Sequence, residues 1–402
     1  MTNEWDRRSQ GFSTRAIHEG DLPTPSGIAE EPVSPPIWLT SDYLYEGLEH
    51  YADVINERRP GYVYGRYGNP THVALNRVIA SLEGAEDAWS FGSGMAAIST
   101  ALTALAHAGD HVVAQRTIYG GTFALLKRVF PGYGVEATFV DPRPEAIAEA
   151  VRPNTRLVLV ETLANPTFRV SDVGGIAGAC AKAGVPLVVD NTIATPYLLR
   201  PMEFEGVTLV VDATTKYLGG HSDLIGGAVA GPADLIDRIR HLAIELGSTG
   251  GAFEAWLTLR GVQTLALRMA RQCANAMAVA TTLSEHPKVA SVGYSGLAGH
   301  PDHAQATRLF GRLGYGAMLS FDLKGGYEAA LRACDSLRVV RVGSSFGSLH
   351  SQVCHPATTS HRQLSPEERT AAGFGDGLIR VAVGGEDPED LVDDIMQALE
   401  KA

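Results

Sequence analysis

Residues 186–220 read PLVVDNTIATPYLLRPMEFEGVTLVVDATTKYLGG. Two short β-branched runs, PLVVD (186–190) and TLVVDAT (208–214), bracket a turn-rich segment. Neither run alternates apolar with polar residues, so each reads as a strand covered on both faces. Outward from this stretch the pattern repeats at HVVAQ (111–115), ATFV (137–140) and RLVLVE (156–161). Ala/Leu-rich helical stretches such as THVALNRVIASLEG and VGGIAGACAKAG lie between the runs. This alternation over residues 63–257 predicts an α/β fold with a mostly parallel central sheet between helices. Ligands of such sheets gather beyond the carboxyl ends of the strands, so the polar residues after each run are the first candidates.

The segment FEAWLTLRGVQTLALRMARQCANAMAVATTLSEH (253–286) reads as one long helical stretch. It leads into an expected smaller α+β C-terminal domain, residues 258–402. There AMLSFDL (317–323) and LIRVAV (378–383) read as strands and EDLVDDIMQALEKA (389–402) as the last helix. Residues 1–62 show no sustained periodicity and are rich in Pro and acids. They are expected to form an N-terminal arm that needs another surface to order it. Trp38, Tyr43, Tyr45 and Tyr51 argue that the arm docks.

The net charge of −12 argues against a nucleic-acid binder, which would show a basic stripe. Cys180, Cys273, Cys334 and Cys354 form no CxxC pair, and the opening MTNEWDRRSQ is polar. Reduced thiols in a cytoplasmic protein are the expectation. The most apolar helical stretch, residues 95–108, is too short to span a bilayer, so no membrane partner is expected.

Asp190 ends one strand run, and Lys216 follows the next, flanked by Thr215 and a Gly-rich turn. Alone, Asp190 reads as a helix N-cap and Lys216 as a solvated lysine. Together, on adjacent runs, they fit pyridoxal 5′-phosphate (PLP) chemistry. That chemistry needs an amine to form a Schiff base and a carboxylate to keep the pyridine nitrogen protonated. It also needs a phosphate cradle and an aromatic face. WSFGSGMAAIS passes from a short strand through glycines into a helix, whose first N–H groups suit a phosphate. Tyr119, in TIYGGTF, offers an aromatic ring.

Two rival readings compete for these motifs. Gly92, Gly94 and Ala97 spell a GxGxxA pattern that would suit a nicotinamide-dependent oxidoreductase. That reading needs an acid at the end of the next strand, but HVVAQ ends in Gln115 and Arg116, and Asp110 precedes it. His300, His303, Cys354 and His355 match no standard zinc spacing, so no metal is expected. Glu161 and Asn165 in ETLANPT follow another strand and fall in the same cleft.

The motifs YGRYGNPT, SGMAA, YGGTF, ETLANPT, VVDNTIATPY, TKYLGGHSD, HPATTSH and LIRVAVGGED run along nearly the whole chain. In combination they resemble the Cys/Met-metabolism family of PLP enzymes, with methionine γ-lyase the nearest in look. The resemblance implies fold type I, the aspartate aminotransferase-like architecture, and a homotetramer with active sites shared between subunits. It implies that Lys216 carries PLP and shuttles protons, that Asp190 pairs with the pyridine nitrogen, and that Tyr119 stacks on the ring and assists the leaving group. Gly94, Met95 and Thr215 would bind the phosphate, with Tyr64 and Arg66 reaching the neighbouring subunit's phosphate. Thr192 would lie near the ring. Asn165, Ser345 and Arg380 would hold the substrate carboxylate, Arg380 in a bidentate grip.

Four positions depart from the family pattern. Ala213 stands where Ser is frequent, Gly121 where methionine γ-lyases have Cys, and Ser344 where cystathionine enzymes have Glu. His350 replaces a common Glu in SSFGSLHS. These departures are expected to cluster around the substrate pocket. The expected activity is γ-elimination on a sulfur-containing L-amino acid such as methionine or homocysteine. The alternative is γ-replacement on an O-acyl-homoserine.

Overall fold

The computed structural model describes residues 9–21, 32–362 and 364–402. Among these residues, seven strands form one sheet: β1 (Asp87–Phe91), β2 (His111–Gln115), β3 (Glu136–Val140), β4 (Thr155–Glu161), β5 (Leu187–Asp190), β6 (Val207–Asp212) and β7 (Gly227–Gly231). Their order across the sheet is β1-β7-β6-β5-β4-β2-β3. The pairs from β6 to β3 are parallel, whereas β7 is antiparallel to both β6 and β1. Hence β1 runs the same way as the parallel set, and β7 alone is reversed. The mostly parallel sheet between helices is therefore as the sequence implied.

The lack of alternation has a direct cause. In β4, Val158 and Val160 belong to the core on one face, while Leu157 and Leu159 belong to the core on the other. All four are essentially fully buried. Burying each such side chain is worth about 1.5–3 kcal/mol, so both faces of the strand select for apolar residues.

β7 gives no sequence signal because it is GAVAG, poor in the residues that favour strands. Its glycines are required by close packing. A Cβ on Gly231 would lie 2.6 Å from Leu209, and one on Gly227 would lie 2.8 Å from the Gly94 Cα. Gly227 thus lets β7 pass directly under the turn that opens the helix Gly94–Leu105.

The expected long helix is two: Ala252–Val262 and Leu265–Glu285. At the break, the Arg268 guanidinium donates to the carbonyls of Tyr217 and Gly261, both at 2.7 Å. A Cβ on Gly261 would lie 2.7 Å from the Leu218 carbonyl. The break thus presses a bare backbone and an arginine onto the turn that follows Lys216.

A second sheet follows, with β8 (Val289–Gly293), β9 (Met318–Leu323), β10 (Arg341–Val342), β11 (Gln352–Cys354) and β12 (Leu378–Ala382) in the order β10-β11-β12-β9-β8. β9 and β12 match the expected strands; β8, β10 and β11 are too short or too exposed to show a pattern. The last helix is Pro388–Glu400.

The described part of the expected arm is not wholly extended, since Phe12–His18 and Leu48–Ile55 are helical. Residues 1–8 and 22–31 of that arm lie outside the described residues. The stretch around Trp38 docks on its own chain. Trp38 N–H donates to Thr71 Oγ1 at 3.0 Å, and Trp256 Nε1–H donates to the Pro35 carbonyl at 2.9 Å. Beyond it Leu39, Leu44 and Leu48 are exposed.

Candidate active site

The carboxyl ends of β1, β2, β4, β5 and β6 open into one cavity of about 920 Å³. Its lining includes Gly94, Met95, Tyr119, Asn165, Asp190, Thr192, Thr215, Lys216, Ser345 and Arg380. Ten of the twelve expected site residues thus converge, although they are spread across the chain from position 94 to 380. Tyr64 and Arg66 are not among the lining residues. Arg66 instead donates to the Ile244 carbonyl and packs its guanidinium 4.9 Å from the Tyr67 ring.

Lys216 sits in the turn after β6, with its Nζ 3.0 Å from Ser345 Oγ and 4.8 Å from the Phe346 ring centroid. Burial, then the charge of Arg380, pushes its amine down to about 8. An amine so lowered is partly neutral near physiological pH and can act as nucleophile or base. Phe346 drew no notice in the sequence, because a single aromatic in a loop has no pattern.

On the neighbouring strand, Asp190 Oδ1 accepts the Thr192 N–H at 3.0 Å. Burial raises its pKa. A carboxylate held in a low-dielectric wall pairs strongly with any cation brought to it, which suits a protonated ring nitrogen. Thr192 Oγ1 accepts the N–H of Ala213 at 2.9 Å and so ties the β5 end to the Lys216 turn.

Opposite lies the start of the helix Gly94–Leu105. Ser93 caps it, its hydroxyl accepting the Ala96 N–H at 3.0 Å. A Cβ on Gly94 would lie 2.7 Å from the Ala213 Cβ, so only glycine lets this turn close on the Lys216 loop. The free N–H groups there suit a phosphate. Thr215 lines the same end, but its hydroxyl is engaged with Gly226, donating to the carbonyl at 3.1 Å. It must rotate to donate to a phosphate.

Arg380 is carried in the middle of β12, paired with Cys354 on one side and Ser320 on the other. Its side chain is 2% exposed. One terminal nitrogen donates to the Ser344 carbonyl at 2.8 Å, and the other lies 3.5 Å from Asn165 Oδ1. Its Nε is buried with no partner among the described residues. A buried guanidinium with an unused N–H calls for a carboxylate, so the chemistry of this donor set fits an amino-acid substrate.

Glu161, at the end of β4, accepts the N–H groups of Tyr119 at 2.6 Å and Asn165 at 3.3 Å. Burial, then the nearness of Asp190, raises its pKa well above the ordinary carboxylate range. It positions both residues. The Tyr119 ring leans over Gly121, where a Cβ would lie 2.6 Å from the tyrosine Cε1.

Of the four departures, Ala213, Gly121 and Ser344 line the cavity. His350 does not; it is exposed, with its N–H directed to Ser348 Oγ. Its neighbours in sequence turn at Gly347, so the segment leaves the cavity before position 350. Gln115, where the oxidoreductase reading needed an acid, is buried and accepts the Glu161 N–H at 2.9 Å. His303 contacts the Ser295 carbonyl and His355 the Asp376 carbonyl, so both are engaged in packing.

A buried lysine of lowered proton affinity, a carboxylate on the adjacent strand and a helix start suited to an anion, at one edge of a doubly covered sheet, are the groups that a PLP-dependent enzyme of fold type I requires. Comparison with known proteins agrees. Residues 13–400 match the model of the Cys/Met metabolism PLP-dependent enzyme family. An L-methionine γ-lyase of Treponema denticola is 38% identical, covering 99% of both chains. An O-succinylhomoserine sulfhydrylase of Pseudomonas aeruginosa is 38% identical with the same coverage. A crystal structure from Campylobacter jejuni superposes with a TM-score of 0.92 at 31% identity, covering 97% of this chain and all of that one. That structure carries N′-pyridoxyl-lysine-5′-monophosphate. The chain belongs to the Cys/Met metabolism PLP-dependent family, and PLP is its cofactor.

Proposed function

We propose that this enzyme eliminates the γ-substituent of methionine or homocysteine with consumption of one water, giving ammonia, a 2-oxo acid and a thiol from methionine or hydrogen sulfide from homocysteine. The methionine γ-lyase relatives favour this reading. The observation that carries it is the charge of the cavity wall. Its acids are Glu161 and Asp190, the first engaged by backbone N–H groups and the second reserved for the ring nitrogen. No carboxylate is left among the described lining residues for the distal ammonium of cystathionine, and Ser344 stands where one would serve. A neutral thioether or thiol is tolerated.

When bound, PLP supplies an aldehyde that condenses with amines and a ring that draws electron density from the substrate carbons. Arg380 and Asn165 hold the α-carboxylate and fix the Cα–H bond against the ring. The Lys216 Nζ, beside Ser345 Oγ, takes the proton from Cα, and a second proton leaves Cβ before the sulfur departs from Cγ. The Tyr119 hydroxyl donates a proton to the departing sulfur. Asp190 keeps the ring nitrogen protonated. Gly94, Met95 and Thr215 anchor the phosphate, and Thr192 holds Asp190 in place.

We further propose that residues 63–257 form the cofactor-binding domain and 258–402 the C-terminal domain. Residues 1–62 act as an arm that crosses to a neighbouring subunit of a cytoplasmic homotetramer. The fully exposed Leu44, and Tyr64 and Arg66 lying outside their own cavity, support that crossing. No described helix is long and apolar enough to cross a membrane.

The test is a substrate panel of methionine, homocysteine, cystathionine, cysteine and O-acyl-homoserines, scored for 2-oxobutyrate, pyruvate and thiol. Methionine should give 2-oxobutyrate and methanethiol, and homocysteine 2-oxobutyrate and hydrogen sulfide. Pyruvate as main product would refute γ-elimination. Turnover only of O-acyl-homoserines with added thiol would favour γ-replacement, the chemistry named for the Pseudomonas aeruginosa relative.

A further inference from the structure

Behind Asp190, away from the cavity, two acids meet in the core. Glu83 is the last residue of the helix Pro70–Glu83, and Asp212 the last of β6. Glu83 is completely buried and Asp212 nearly so. The two carboxyls lie close enough to act directly on each other. Ionised carboxylates only accept hydrogen bonds, so a bond between two of them requires a proton on one. The remaining inventory agrees. Glu83 Oε1 accepts Asn191 Nδ2–H at 3.1 Å, whereas Glu83 Oε2 and Asp212 Oδ1 are buried with no donor among the described residues. A single proton between the two acids satisfies both orphans.

The pair is joined to the PLP site by two routes. Asn191 follows Asp190 directly and holds Glu83; its Oδ1 accepts Thr162 Oγ1–H at 2.8 Å, and Thr162 N–H binds the Asp190 carbonyl at 3.0 Å. Asp212 precedes Ala213, whose N–H binds Thr192 Oγ1, and Thr192 N–H binds Asp190 Oδ1. The charged groups that face the pair are Asp190 on β5, acting on Asp212, and Arg200, which acts on Glu83. Arg200 is in turn opposed by Arg15.

We infer that Glu83 and Asp212 share one proton and act as a positioning pair for Asp190, retaining one negative charge behind it. That charge disfavours a second negative charge on Asp190 unless a proton is held nearby. It therefore raises the proton affinity of Asp190 and the ring nitrogen as a unit. The functional half of this inference rests on the proposed role of Asp190; the shared proton does not.

Infrared difference spectra of the holoenzyme separate the two. At neutral pH the wild-type protein should show a carboxylic-acid carbonyl band that disappears in both Glu83→Gln and Asp212→Asn. In each single variant an amide donates to the remaining ionised partner, so the fold and PLP content are retained. The double variant Glu83→Gln/Asp212→Asn loses the charge. The pH at which its bound PLP changes visible spectrum should fall by about one unit relative to the single variants. A band that is absent in the wild type, or unchanged in either single variant, overturns the shared proton. A band that behaves as stated, with an unmoved spectral transition in the double variant, overturns the positioning role alone. Should these variants fail to fold, Glu83→Asp keeps the acid while lengthening the gap to Asp212, and the carboxylic-acid band should shift; an unmoved band overturns the shared proton.

Discussion

Gly121 controls the position of Tyr119 through what it lacks. The tyrosine ring occupies the space of a Cβ at position 121, and Met95 Sδ lies 3.0 Å from that same point. Gly121→Ala should therefore displace the ring and lower kcat by up to roughly 100-fold, the scale of a misplaced general acid, while PLP content stays near normal. Unchanged kcat would show that Tyr119 is not the acid. Arg380→Lys removes the planar fork while keeping the charge. A lost charge-assisted hydrogen bond of about 2 kcal/mol corresponds to roughly a 30-fold fall in kcat/KM. Lys216 gives a third expectation. Its amine, lowered to about 8, is the nucleophile only when neutral. The rate at which apoprotein recaptures PLP should rise about tenfold per pH unit below 8 and flatten above it. A rate that keeps rising past pH 8 towards the ordinary lysine value of 10.5 would contradict the buried, Arg380-opposed environment. Most of these residues were legible in the sequence because each sits in a short motif with a required neighbour. Phe346 and Glu83 were not, since a lone aromatic and a helix-terminal acid acquire meaning only from what folds against them.

At the scale of elements, the strands covered on both faces were readable as unbroken apolar runs, and β7 was not, because its packing demands glycine rather than bulk. The break between the helices Ala252–Val262 and Leu265–Glu285 was likewise hidden. Its residues LRGVQTLAL keep helical composition, and the break is imposed by contact with the Lys216 turn. The same contact logic applies at Gly347, where the backbone has φ +88° and a Cβ would lie 2.6 Å from the Tyr217 nitrogen. Gly347→Ala combines left-handed strain with overpacking against the lysine turn. It should cost about 2–4 kcal/mol of stability, measured by denaturant unfolding of the apoprotein. The Asp212 carboxyl also leaves a signature. Burial raises it above its ordinary value of 3.8 in the folded state, so the folded protein keeps a proton that the unfolded chain releases. That contribution to stability is complete below pH 3.8 and is lost as pH rises through the raised folded value of the pair. Asp212→Asn apoprotein should show a flatter unfolding midpoint across that window than the wild type.

For the whole molecule, the sequence carried the family and the cofactor, and the proposed sharing of the site between copies of the chain can be tested directly. Arg66 and Tyr64 are absent from their own cavity lining. If subunits exchange them, Lys216→Ala and Arg66→Ala chains should each be impaired, yet mixing them during refolding should restore activity. A mixed pair then contains one site with both residues intact. No recovery on mixing would place Arg66 in a role within its own subunit. The central claim, that Lys216 is the point of attachment for PLP in this cavity, is tested most directly by borohydride reduction of the holoenzyme followed by peptide mapping. The expected result is a single pyridoxyl mark on the peptide containing Lys216, with none in Lys216→Ala. A mark on another lysine, or none in the wild-type protein, would contradict it.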